Sequence, residues 1–186
     1  WSSDVCSSDL EPVDEQVDRI DKVKLLSGVI PSLLTLQQQG YELVMVTNQD
    51  GLGTASFPQE DFDLAHNFLL ELLASQGVIF TKILICPHLP QHQCKCRKPN
   101  IGLVLSYLQD PHWCRQSSAM IGDRDSDRQL AEAMNIRSFR CGDEASSDAL
   151  GWNDICHKLL AMGRTAKLVR KTKETSIHLN LDLDRK

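Results

Sequence analysis

No run of eighteen apolar residues occurs anywhere in the 186-residue chain. A helix crossing a bilayer needs about twenty, so no membrane span is expected. Positive charge is not in excess either. Twenty Lys and Arg face 25 Asp and Glu, for a net charge of −5, which argues against a general nucleic-acid binder. Cysteines are not paired off as in a secreted disulfide scaffold. The seven are Cys6, Cys86, Cys94, Cys96, Cys114, Cys141 and Cys156, an odd number with three close together. That pattern points to a reduced, cytoplasmic setting and one local metal site. The opening "WSSDVCSSDL" lacks the basic start and apolar core of a signal peptide. It also lacks a strand pattern, since Val5 and Cys6 are its only adjacent apolar pair.

The rest is ordinary for one globular domain, with 41% hydrophobic and 24% charged residues. Elements alternate along it. "GVIPSLLTLQQQG" spaces Val29, Ile30, Leu33, Leu34 and Leu36 as a helix stopped at Gly40. "YELVMVTN" and "KILIC" read as buried parallel strands. Between them, "QEDFDLAHNFLLELLASQG" puts Phe62, Ala65, Phe68, Leu69, Leu72 and Leu73 on one helical stripe. "NIGLVLSYLQD" reads as a helix, "SSAMIGD" as a strand, "DSDRQLAEAMN" as a helix with an acidic first turn, "IRSFRC" as a strand and "GWNDICHKLLAMG" as a helix. This order predicts an α/β, doubly wound parallel sheet with helices on both faces. Ligands of such sheets sit at the carboxyl ends of the strands.

Four motifs fall there. "VMVTNQDGLGT" brings Thr47 and Asn48 to a strand end before a loop with Gly51 and Gly53. A hydroxyl and backbone N–H groups there could hold a phosphate, or the loop could be an ordinary turn. "CPHLPQHQCKCRKP" spaces Cys86, His88, Cys94 and Cys96 as a closed tetrahedral zinc set, with His92 in the same loop as a less natural ligand. Arg97 and Lys98 follow directly, either as phosphate cations or as a solvated basic pair. "MIGDRDSD" sets Asp123 just after a strand, with Asp125 and Asp127 behind it. Such carboxylates suit Mg²⁺, or cap the following helix.

In this order the four motifs resemble those of the haloacid-dehalogenase-like phosphatases, over roughly residues 11 to 160. The resemblance implies that Thr47 binds phosphate, Lys98 is its cation and Asp123 holds Mg²⁺. The stretches "GVIPSLLTLQQQGYELVMVTNQDGLG" and "ICPHLPQHQCKCRKP" look more narrowly like histidinol-phosphate phosphatases, the amino-terminal half of bifunctional histidine-biosynthesis enzymes. The tail "RTAKLVRKTKETSIHLNLDLD" resembles the start of the imidazoleglycerol-phosphate dehydratases fused behind that half. Its basic run is expected to be a linker, and Ile177, Leu179, Leu181 and Leu183 to alternate along a first strand. The implied function is Mg-dependent hydrolysis of L-histidinol phosphate in a cytoplasmic parent fused to a dehydratase, with zinc stapling a loop. Heptose-bisphosphate phosphatases share the zinc loop, and a non-catalytic zinc-stabilised domain is the other alternative.

The family also begins with an apolar strand running into Asp-x-Asp-Gly-Thr, whose first Asp is the nucleophile and second the general acid. "WSSDVCSSDL" stands in its place. Asp4 and Asp9 do not follow an apolar strand and are not followed by Gly-Thr, so neither inherits a role. One frame of a common short-read sequencing adapter translates as W-S-S-D-V-C-S-S-D. Residues 1–10 are therefore expected to be a non-native segment, 11–162 a phosphatase domain lacking its first central strand, and 163–186 a linker and truncated dehydratase start.

Overall fold

The computed structural model describes residues 17–142, 148–161, 165–171 and 176–182. Five helices and six strands alternate along them: α1 (Val29–Gln38), β1 (Val44–Asn48), α2 (Gln59–Ser75), β2 (Lys82–Cys86), α3 (Leu105–Gln109), β3 (Ala119–Gly122), α4 (Asp125–Met134), β4 (Arg137–Arg140), α5 (Trp152–Leu160), β5 (Thr165–Lys171) and β6 (Ser176–Asp182). β1 pairs with β2 and β3 with β4, both parallel, while β5 and β6 form an antiparallel hairpin. The expected missing or replaced first strand concerns residues outside the described ones.

Side chains alternate across β1 and β3, and each face is covered. Leu43 and Ile121 join Val29, Leu33 and Leu36 of α1 and Trp152, Ile155 and Leu159 of α5 in one apolar cluster. Val46 and Met120 turn the other way, onto Val104 and onto Leu130, Ala131 and Met134 of α4. A sheet buried on both faces needs such apolar pairs, because each buried aliphatic side chain contributes about 1.5–3 kcal/mol. The fold is thus of the doubly wound α/β class expected, its parallel strands standing as two separate pairs among the described residues. β2 and β4 are less buried than their sequences imply. Of β2 only Cys86 is fully covered, and three of the four β4 residues are exposed.

Two expectations need correction. "NIGLVLSYLQD" does not make one helix. A single 3-10 turn, Gly102–Val104, leads into the five-residue α3. The Gly102 N–H is already spent on the Lys95 carbonyl at 2.9 Å, so the start of the segment belongs to the preceding loop. The basic run read as a linker is itself β5. It pairs in register with β6, Leu168 opposite Leu179 and Arg170 opposite Ile177. Spaced apolar residues among the lysines and arginines allow pairing once a second strand follows closely. Among the described residues no helix is long and apolar enough to cross a membrane.

Candidate functional site

The carboxyl ends of β1, β2 and β3 carry the motif residues. β2 ends at Cys86, and the chain then turns through a 3-10 segment, Pro90–His92, before returning at Cys94 and Cys96. The ligand atoms of Cys86, His88, Cys94 and Cys96 all lie within 4.8 Å of one another. Individual separations are 3.2 Å for Cys86 Sγ to Cys96 Sγ, 3.6 Å for Cys86 Sγ to Cys94 Sγ, 3.3 Å for Cys96 Sγ to Cys94 Sγ and 3.1 Å for His88 Nδ1 to Cys96 Sγ. Sulfurs around a tetrahedral zinc stand about 3.8 Å apart, given Zn–S bonds of about 2.3 Å. The four donors therefore fit a closed site after a small expansion, and no position remains for substrate. His92 packs edge-on to His88 with ring centroids 6.0 Å apart and is not among the four. Burial, followed by the neighbouring thiols, pushes Cys86 up to about 12. A metal would therefore displace a proton from it at neutral pH.

Lys98 follows this loop by two residues and is buried, its side chain only 2% exposed. Its Nζ donates to the Val46 carbonyl at 3.0 Å and stands 2.7 Å from Oδ1 of Asp127, which is equally buried. That second contact is a buried ion pair. Two charges leave water at a cost of several kcal/mol each unless they meet, and here they meet. Asp127 is the third residue of α4, and its Oδ2 accepts from the Arg124 N–H at 3.3 Å. Space for the carboxylate comes from Gly122 at the end of β3. A Cβ there would overlap Asp127. The strand-end Asp123 is half-buried beside them.

In the sequence Asp127 is one of three acids suited to a metal or to capping, with no sign of a lysine partner. It does cap α4, but its other oxygen belongs to Lys98. A usable signal was present: a Gly-Asp at a strand end and a second Asp one helical turn into the next helix.

Thr47 is buried and accepts from Gln49 Nε2 at 2.8 Å. Its neighbour Asn48 spends both carboxamide atoms on one residue. Oδ1 accepts from the Lys98 N–H at 2.9 Å, and Nδ2 donates to the Lys98 carbonyl at 3.3 Å. Arg97 forms an ion pair with Asp50. The glycine-rich loop does not offer a row of free N–H groups. Those of Gln49 and Gly51 go to the carbonyls of Cys86 and Pro87, and those of Leu52, Gly53 and Thr54 go to Gln49, Phe57 and Gly51. Gly51 and Gly53 serve instead at φ of 76° and 84°, where side chains are strained. The turn thus docks the β1 loop onto the metal loop. The structure brings Thr47, Asn48, Lys98 and Asp123 to the strand ends and turns Arg97 toward Asp50.

A sequence profile of the HAD-hydrolase-like family matches residues 95–151. The histidine biosynthesis bifunctional protein HisB of Legionella pneumophila (strain Lens) is 45% identical over 174 residues, which covers 94% of this chain and 48% of that protein. HisB of Baumannia cicadellinicola is 48% identical over 176 residues, covering 94% and 48%. The chain thus spans about half the length of the curated relatives it matches. Among solved structures, D,D-heptose 1,7-bisphosphate phosphatase from B. bronchiseptica, complexed with magnesium and phosphate, superposes with a TM-score of 0.66. It has 23% identity and covers 80% of this chain and 90% of that one. A HAD-like phosphatase from Mesorhizobium loti superposes with a TM-score of 0.63 at 21% identity, covering 79% of both chains.

Proposed function

The chain is a homologue of the bifunctional HisB proteins and carries the haloacid-dehalogenase-like fold, and on that premise we propose that it is the phosphatase half of such a cytoplasmic enzyme, hydrolysing L-histidinol phosphate. The buried Lys98–Asp127 pair beside Thr47 carries the reading. A cation fixed at strand ends, 3.0 Å from the Val46 carbonyl, is what a phosphoryl group of about two negative charges requires. Lys98 would hold the phosphate by charge and Thr47 by its hydroxyl, while Asn48 is spent on the Lys98 backbone and Arg97 on Asp50. Asp127 keeps the ammonium aimed. Asp123 is the strand-end carboxylate that would hold Mg²⁺, since Asp127 is already neutralised by Lys98. Its hard oxygen donors suit that ion. When bound, Mg²⁺ neutralises the charge on the transferring phosphoryl group. Cys86, His88, Cys94 and Cys96 would hold zinc as a structural staple.

The substrate choice rests on the extent of the likeness. A match over 174 residues cannot end at residue 162, so it runs into the β5–β6 hairpin. This supports a dehydratase-fused parent over a heptose-bisphosphate phosphatase. No carboxylate of the Asp-x-Asp-Gly-Thr kind exists in the sequence, so the chain as it stands is expected to be inactive.

The test has two arms. An apolar strand ending in Asp-x-Asp-Gly-Thr is placed before residue 11, and phosphate release is measured on histidinol phosphate and on heptose bisphosphate. Preference for the heptose substrate would overturn the assignment. The unmodified chain is assayed beside it. Mg-dependent turnover there, abolished by Asp4→Asn or Asp9→Asn, would overturn the expectation of inactivity.

A further inference from the structure

Nothing in the proposed chemistry requires the two-point contact between Asn48 and Lys98. An amide that held phosphate would turn at least its Nδ2 toward the ligand. Here both atoms face the main chain of one residue fifty positions away, Oδ1 at 2.9 Å from N and Nδ2 at 3.3 Å from O. The side chain acts like a rung of a β-ladder across a junction where no ladder exists, reading both polar groups of a peptide unit. The residue so gripped directly follows Arg97, whose own N–H donates to Cys94 Sγ at 3.3 Å. Three further bonds fasten the same two loops together: Gln49 N–H to Cys86 O at 2.8 Å, Gly51 N–H to Pro87 O at 3.1 Å, and the Asp50–Arg97 ion pair.

We propose that Asn48 is a positioning residue whose carboxamide carries the order of the Cys/His loop to the backbone of Lys98 and so fixes where the buried ammonium stands. The loop fixes the chain up to Cys96. Beyond it, the Lys98 side chain still has to reach the Val46 carbonyl and Asp127, at 3.0 Å and 2.7 Å. A long flexible side chain does this only from a fixed Cα. Asn48 and Val46 lie on the same strand, β1. One strand thereby holds both the backbone and the ammonium of Lys98. The importance of this placement for phosphate rests on the proposed function; the clamp itself does not.

The experiment is amide hydrogen exchange by NMR on the full 186-residue chain loaded with zinc. In the wild type the Lys98 amide should be protected, along with the Gly102 amide that bonds to Lys95 O inside the loop. Asn48→Ala should speed exchange at Lys98 by about tenfold, the worth of one net hydrogen bond, while Gly102 protection and zinc stoichiometry stay unchanged. Asn48→Asp keeps the acceptor and should restore protection at Lys98. Removing zinc from the wild type should expose both amides. Equal protection of Lys98 in wild type and Asn48→Ala would overturn the proposal, as would a Lys98 amide still protected after zinc removal. The second measurement decides the matter if Asn48→Ala does not fold. Titration with inorganic phosphate separates the two readings. If the clamp behaves as stated and phosphate fails to bind the wild type, the phosphatase reading fails and the clamp stands.

Discussion

Replacing Asp127 with Asn keeps the shape and removes the charge opposite Lys98. The side chains of both residues are only 2% exposed, at a separation of 2.7 Å, so solvent screening gives little relief. With an effective dielectric constant of about 20, unit charges at that distance attract by roughly 6 kcal/mol. Much of this offsets the cost of having left water. Loss of one partner strands the other, and such changes typically cost about 3–5 kcal/mol. An Asn still accepts from the Arg124 N–H and fits the space that Gly122 leaves, which places the expected loss near the low end, about 3 kcal/mol. Against a total of roughly 5–15 kcal/mol this is readily measured. Urea unfolding of zinc-saturated protein should show a lower midpoint with an unchanged slope. Adding Lys98→Met to Asp127→Asn should cost less than the two single changes summed, by about 1–3 kcal/mol. A single Asp127→Asn variant within about 0.5 kcal/mol of wild type would refute the buried-pair reasoning.

Purified chain should carry one zinc per molecule by elemental analysis. Cys94→Ser should lose the metal and lower the midpoint, and wild-type affinity should fall toward acid pH, because the thiols must lose protons to bind. Gly122→Ala should destabilise by about 1–3 kcal/mol in the same urea assay, since the added methyl overlaps the Asp127 carboxylate. An unchanged midpoint would mean that Asp127 is seated elsewhere. In the version with a restored first strand, Lys98→Ala should cost about 2–4 kcal/mol in kcat/KM and Thr47→Val less. Undiminished turnover by the Lys98 variant would move the phosphate site.

Local pattern revealed most of the elements. α1, α2, α4 and α5 follow from apolar residues at helical spacing, and β1 and β3 from short β-branched or apolar runs ending in polar residues. The donor set of the metal loop was legible for the same reason, since its four ligands lie within eleven residues. What pattern could not supply is pairing at a distance. Asp127 meets Lys98 across 29 positions and Asn48 meets it across 50, and only the folded sheet makes those partners neighbours. The same holds for the loop after β1. Its glycines suggested open N–H groups, but the packed metal loop takes two of them. α3 was overestimated because apolar spacing does not reveal that the Gly102 amide is committed elsewhere. The β5 strand was hidden because its charge dominated its alternation.

The two rings, one nested within the span of the other, also differ in how hard they are to close. Cys86 and Cys96 are ten residues apart, and Asn48 and Lys98 fifty. Closing a flexible ring five times longer costs about 1.4 kcal/mol more in chain entropy. During folding the short ring is the cheaper to form and forms on a faster timescale, about 10–100 ns for a ten-residue closure. The short ring lies within the span of the long one, so closing it first also shortens the long closure. Chain entropy alone therefore favours closing the metal loop before the sheet contact.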